Sequence, residues 1–322
     1  MSDVPPNDAM PLNDAVRRAV TVRAPGKVNL QLAVGPAHDD GYHPLATVFQ
    51  AVDVYEVVTA RPREDGQFTV TTASGNGVSV DGVPQDDTNL AVRAARAVAD
   101  AFGLIDGVDL TVLKGIPVAG GMAGGSADAA ATLVACAELW DTGASRQELA
   151  EIAATLGADV PFALLGHTAV GLGRGDRLSP AMTHGTFNWV FATQVDGLST
   201  RGVYEEFDAW IADALLPIGD PMISDSVMQA LIAGDPNALG AALVNDLQGA
   251  ALRLAPHLQD VIDAAMEIDA CGAVVSGSGP TVAALARNPQ HALAIAAHLR
   301  STGLADQVIT ASGPAPGATV LA

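Results

Sequence analysis

One segment limits what this chain can fold into: Pro117–Val118–Ala119–Gly120–Gly121–Met122–Ala123–Gly124–Gly125–Ser126. Ahead of it, Val108, Leu110 and Val112 alternate as in a strand. Behind it, Ala130, Leu133, Val134, Ala137 and Trp140 fall on one face of a helix that opens at Ser126. A strand that passes through a glycine-rich loop into a helix exposes unpaired N–H groups and the positive end of a helix dipole. Small residues let a ligand approach that backbone closely. The junction suits a phosphate. It matches neither GxxxxGK[ST] nor the Rossmann glycine spacing. Taken alone, the same residues also suit a glycine-rich turn feeding an alanine-rich packing helix, so the neighbouring elements decide between the two.

The chain has 322 residues, enough for two domains, and carries 16 basic against 36 acidic residues, a formal net charge of −20. Such a surface repels polyanions at long range, which argues against nucleic acid or anionic lipid as a partner. A small anion remains acceptable where backbone amides and one or two cations meet it. Cys136 and Cys271 have no CxxC or CxxH spacing and suit buried thiols. No apolar run reaches the roughly 20 residues that cross a bilayer, and no basic-then-apolar leader opens the sequence. These features predict a cytoplasmic protein with no membrane partner. Residues 1–18, with Pro5, Pro6 and Pro11, are expected to form a loose tail.

Val28, Leu30, Leu32 and Val34 predict a half-buried strand with Lys27, Asn29 and Gln31 on its opposite face. Strands are expected at 47–58, 67–72 and, briefly, 78–80. Thr88 or Asn89 caps a helix with a stripe of Leu90, Ala94, Val98 and Ala101, ending before Gly103; Ser145 and Glu148 have capping-box spacing for a helix that stops at Gly157. Further on, a strand at 188–193, helices at 202–215 and 237–245, and a hairpin of 272–276 with 281–285 are expected. A helix at 291–299 and a last strand at 307–311 complete the pattern. That order suggests a ferredoxin-like α+β layer.

Two polar residues stand out beside the loop. Asp159 follows the stop at Gly157 and precedes Val160–Pro161, which makes it either the N-cap of a short helix over 160–165 or an anion held on a stiff turn, ready to accept a proton. Lys27 follows Gly26 into the first strand, with Asn29 beside it.

The segments Ala24–Leu30, Pro117–Ala130 and Gly272–Thr281 resemble the three motifs of the GHMP small-molecule kinases. Together with Asp40–Gly41–Tyr42–His43 and Leu156–Gly157–Ala158–Asp159–Val160–Pro161, they are most similar to the branch of that family with a cytidine diphosphate acceptor. The resemblance runs from about Thr21 to Leu285. It implies an α+β, two-domain GHMP kinase fold: a ribosomal-S5-like N-terminal α/β domain over 19–175 and a ferredoxin-like C-terminal α+β domain over 176–322.

The activity it implies is ATP-dependent phosphorylation of the 2-hydroxyl of 4-diphosphocytidyl-2-C-methyl-D-erythritol, in the non-mevalonate route of isoprenoid biosynthesis. Position by position, Lys27 and Asp159 resemble the family's catalytic pair. Pro117 through Ser126 resemble its ATP loop. Asn89 resembles an adenine-side asparagine, with simple helix capping as its alternative. Asn29 matches a substrate contact. His43 and Tyr42 match the cytosine-binding histidine and its stacking aromatic, and Tyr204 a second aromatic that sandwiches the base. The resemblance also implies ATP and Mg²⁺ and a monomer or weak homodimer.

Ala119 and Ala123 replace glycines common in this loop, which requires them to keep φ below zero. Ala127 and Asp128 follow Ser126 where many relatives have Ser-Ser or Ser-Asn. A second hydroxyl is therefore missing, no protein metal ligand is named, and Mg²⁺ is expected to be held mainly by ATP and water. A ligand-binding protein that kept the fold would not need both Lys27 and Asp159, and a mevalonate-branch decarboxylase would not need Tyr42–His43.

Overall fold

A computed structural model describes residues 19–39, 41–75, 77–118, 120–214 and 219–321. The expected tail (1–18), Asp40, Ala119 and the apolar stretch 215–218 lie outside the described residues.

The alternating, β-branched start of the sequence forms β1 (Val20–Val34), which pairs antiparallel with β2 (Leu45–Arg63) from Val20↔Ala60 to Val34↔Leu45. Register shifts at Pro25/Gly26 and Asn29/Gln31 kink β1 on either side of Lys27. The expected half-exposure of this strand is wrong: Lys27, Asn29 and Gln31 are as buried as the apolar residues between them, because other parts of the chain cover the second face.

β3 (Phe68–Ser74), α1 (Leu90–Phe102) and β4 (Gly107–Lys114) follow, with β3 parallel to β4 and β4 antiparallel to β2. The strand expected at 78–80 does not form: these residues belong to no helix or strand, and the Val78 N–H donates to the Gly75 carbonyl at 3.0 Å. Asn89, not Thr88, caps α1: its Oδ1 accepts the Ala91 N–H at 2.8 Å, and Gly103 ends the helix at φ +65°.

α2 runs Gly124–Leu139, two residues longer at its start than expected, and 127–137 are all buried. The sequence stripe understated this helix because it packs on β1 and β2 and also on α1. Alanine on every side is what allows the close approach. α3 (Arg146–Leu156) begins with the expected capping box of Ser145 and Glu148; α4 (Val160–Leu165), β5 (Thr168–Gly173) and β6 (Arg177–Pro180) complete this half.

β7 (Phe187–Thr193) enters a second sheet, followed by α5 (Thr200–Ala214), α6 (Asp225–Ala233) and α7 (Pro236–Ala242). The helix expected over 237–245 stops at Ala242, and β8 (Val244–Asn245) pairs parallel with β1. After α8 (Gln248–Leu254) and α9 (His257–Glu267) come the expected hairpin of β9 (Gly272–Val275) and β10 (Val282–Ala286), then α10 (Pro289–Thr302) and β11 (Gln307–Gly313). The sheet order β11-β7-β10-β9, antiparallel throughout, is the ferredoxin-like arrangement. β11 is not the last strand: β12 (Thr319–Leu321) returns to pair with β1. The chain has an α+β fold with two sheets, and its last strand ties the second half back to the first sheet.

Candidate active site

The loop between β4 and α2 and the turn between β9 and β10 meet above β1. Gly121 makes the contact possible: at φ +72° it lies so close to Ser276 that a Cβ would come within 2.4 Å of the Ser276 carbonyl oxygen. The turn is held by Asn245, whose Nδ2 donates to the carbonyls of Val275 and Gly277 at 2.7 Å each. The loop is tied to β1 by the Lys27 N–H, which donates to the Met122 carbonyl at 3.1 Å.

These elements enclose a cavity of about 490 Å³ whose wall includes Lys27, Asn29, Ser126, Asp159, Arg174 and Tyr204. From the loop it also takes Gly120, Gly121, Ala123, Gly124 and Gly125. An adjoining cavity of about 320 Å³ shares Gly124 and Gly125 and is walled by Pro84, Asn89, Leu90, Pro117 and Val118. The two cavities therefore meet at the opening turn of α2, where N–H groups are unpaired and the dipole is positive. Met122 takes part through its backbone only, since its side chain is fully buried in the core. Ala123 contradicts the expectation for its backbone. It sits at φ +62° as the N-cap of α2, because the chain must turn sharply there to enter the helix, and no side-chain cap forms.

Lys27 projects from the kinked part of β1. Its Nζ donates to Asn29 Oδ1 at 2.5 Å, and Asn29 Nδ2 donates to Thr47 Oγ1 at 2.9 Å. Burial lowers the Lys27 pKa from its ordinary value, and the negative charge of Asp159 opposes that shift. The ammonium is therefore poorly solvated and electrically coupled to Asp159, so an added anion is a strong partner for it. Asp159 occupies the N-cap position of α4, yet its side chain makes no cap hydrogen bond. The carboxylate is left facing the cavity, which favours the second of its two sequence-based roles.

The proposed base-binding residues separate into two groups. His43 is buried; its Nδ1 donates to the Gly35 carbonyl at 2.8 Å, and its Nε2 lies 3.4 Å from Asp208 Oδ2. Its ring stacks, tilted, on Tyr204 at a centroid distance of 5.2 Å. Burial, and then the charge of Asp159, push the Tyr204 phenol up to about 12, so it stays protonated. Tyr42 stands apart at 54% exposure, with the Arg174 guanidinium 3.6 Å from its ring centroid. Tyr42 and His43 do not line the larger cavity beside Tyr204.

Sequence reasoning missed Arg174 and Thr200. Arg174 sits between two glycines in a chain poor in cations, a signal that was there to be seen. Thr200 Oγ1 is 3.0 Å from Ser278 Oγ and ties α5 to the turn, a pairing that no sequence spacing reveals.

The family description "GHMP kinases N terminal domain" matches residues 89–167, and "GHMP kinases C terminal" matches 227–304. A 4-diphosphocytidyl-2-C-methyl-D-erythritol kinase of Thermobifida fusca is 53% identical over 306 residues, covering 94% of this chain and 98% of that protein. The chain belongs to the GHMP kinase family. The enzyme of the same name from Streptomyces coelicolor is 52% identical over 94% of this chain and 99% of its own length. A crystal structure of 4-(cytidine 5'-diphospho)-2C-methyl-D-erythritol kinase superimposes with TM-score 0.74 at 31% identity, covering 91% of this chain and 98% of that one. The mevalonate kinase of L. major also reaches TM-score 0.74, at 16% identity, and shares the GHMP kinase fold. Among the described residues of this GHMP kinase, no helix is long and apolar enough to cross a membrane.

Proposed function

We propose that this enzyme transfers the γ-phosphoryl group of ATP to the 2-hydroxyl of 4-diphosphocytidyl-2-C-methyl-D-erythritol, a step of the non-mevalonate route to isoprenoids. The observation that carries this is a single cavity joining the glycine loop, Lys27, Asn29, Asp159 and Tyr204, in a chain about half identical to kinases of that name.

The acceptor is a tertiary alcohol, crowded and weakly acidic, so alignment matters more than covalent help. ATP lies with its phosphates over Gly120–Ser126 at the start of α2 and its nucleoside in the cavity walled by Asn89, Leu90, Pro117 and Val118. Mg²⁺ would enter with ATP, drawing its oxygens from the phosphates and water and neutralising charge on the group in transfer.

Asp159 orients the hydroxyl and takes its proton as the new O–P bond forms and the bond to the ADP oxygen breaks. Lys27 stabilises the charge on the phosphoryl group in transfer. Tyr204, backed by His43, gives the cytosine a stacking face, and Arg174 offers a guanidinium to the diphosphate.

ADP release, coupled to a reporter, is expected with the cytidine substrate and not with mevalonate or homoserine; turnover of either control alone would overturn the assignment. Tyr204→Ala is expected to raise KM for the cytidine substrate about 5- to 150-fold, the range of one base–aromatic stack. KM for ATP should stay within a few-fold, and a change confined to ATP would place the base elsewhere.

A further inference from the structure

The sequence contains two lysines, Lys27 and Lys114, and both are buried beside the phosphate loop. Lys27 belongs to the cavity described above. Lys114 ends β4, directly ahead of the loop, and is 3% exposed. Its Nζ lies 2.6 Å from Glu56 Oε1 and 2.6 Å from Asp128 Oδ2. Glu56, on β2, is 0% exposed, and Asp128, early in α2, is 4% exposed. Glu56 Oε2 accepts the N–H of Gly115, the first residue after β4, at 2.8 Å. Its Oε1 lies so close to Gly124 that a Cβ there would come within 2.8 Å. One carboxylate therefore touches both ends of the loop, where β4 stops and where α2 starts.

Two carboxylates and one ammonium carry a net charge of −1 when all are ionised. Lys114 and Asp128 line the smaller cavity, with Glu56 behind them, so that charge is buried against a site built for anions, an unfavourable place for it. The groups facing Glu56 are Lys114 from β4, the N–H of Gly115 just after it, and Asp128 from α2. Burial first, and then repulsion from Asp128, push the Glu56 carboxyl up to about 8 against the pull of Lys114. Burial raises Asp128 as well. Burial disfavours the Lys114 ammonium, but its two carboxylate partners outweigh this and hold it protonated. With one proton retained on the carboxylate pair, the trio is neutral; with that proton lost, it is negative. Glu56 Oε1 and Asp128 Oδ1 lack an aligned hydrogen bond, which leaves charge and packing to hold them.

We propose that Glu56 is a positioning residue for ATP, setting the span of the phosphate loop through its contacts with Gly115 and Gly124. The inference rests on the loop being the ATP site. Glu56 itself lines neither of the two cavities and acts through the loop.

The test is steady-state kinetics of the full chain from pH 6 to 10, with ATP and the cytidine substrate varied in turn. For the wild type, kcat/KM for ATP should fall as pH rises through about 8, when the trio turns negative, while KM for the cytidine substrate stays flat. Glu56→Gln keeps an acceptor for Gly115 and removes one charge, so that alkaline fall should disappear; Asp128→Asn should remove it too. Glu56→Ala should raise KM for ATP at least tenfold, with KM for the cytidine substrate within about threefold. An alkaline fall unchanged in Glu56→Gln would overturn the proposal, as would a Glu56→Ala enzyme that loses kcat alone. If Glu56→Ala does not fold, the pH profile of Glu56→Gln still decides. No ATP-dependent ADP release by the wild type would instead overturn the functional assignment, and so the two failures are distinguishable.

Discussion

Asp159→Asn is expected to lower kcat by about 10²–10⁴, the usual contribution of a positioned proton acceptor. The amide keeps the volume of the carboxylate and loses only its ability to accept the proton and its charge. Because the Asp159 side chain makes no cap hydrogen bond to α4, the substitution should leave the fold intact. KM for ATP should change little, and the protein should still bind ATP by calorimetry. The Lys27 pKa, held up in part by Asp159, should fall further in the variant, since burial then acts on it unopposed by that charge. Undiminished turnover would remove Asp159 from the reaction.

Gly121→Ala is expected to damage stability and ATP use together. A non-glycine residue at φ +72° costs about 1–2 kcal/mol, and the added Cβ would also lie 2.4 Å from the Ser276 carbonyl oxygen. That carbonyl cannot move aside cheaply, because Asn245 clamps the turn on both flanks of it. The loop and turn must separate, so KM for ATP should rise at least tenfold and Tm should fall by several degrees. Gly303→Ala provides the control: it has a similar φ of +69° and nothing within 4 Å of its Cβ position. It carries the conformational cost alone. Equal Tm losses in the two variants would show that the contact with Ser276 carries no weight.

Local patterns were read well wherever the cause was local. The capping box of Ser145 and Glu148, the stop at Gly103 and the β9–β10 hairpin depend on residues a few positions apart, and all three are present. Errors arose where a distant part of the chain intervened. Alternation puts Lys27, Asn29 and Gln31 on the face opposite the apolar one, yet that face is covered too; Gln31, for example, donates to the carbonyl of Met222 at 2.6 Å. The two-residue β8 exists because it lies parallel to β1, and nothing in Val244–Asn245 marks it as a strand. The left-handed backbone at Ala123 answers to the path of the chain into α2, against the preference of the residue itself.

The residues of the sequence by themselves determined a glycine-rich strand–loop–helix junction suited to an anion and the elements flanking it, and the resemblance of its motifs to the GHMP kinases supplied the kind of chemistry. Glycine spacing and helix polarity are properties of a short stretch of chain. The tertiary structure decided which side chains share the site. It brought Arg174 and Thr200 to the cavity wall, set Tyr42 apart from Tyr204, and buried Glu56 and Asp128 against Lys114 behind the loop. Those relations join residues up to more than a hundred positions apart. They follow from how two sheets and the helices on them pack together, which no local pattern encodes.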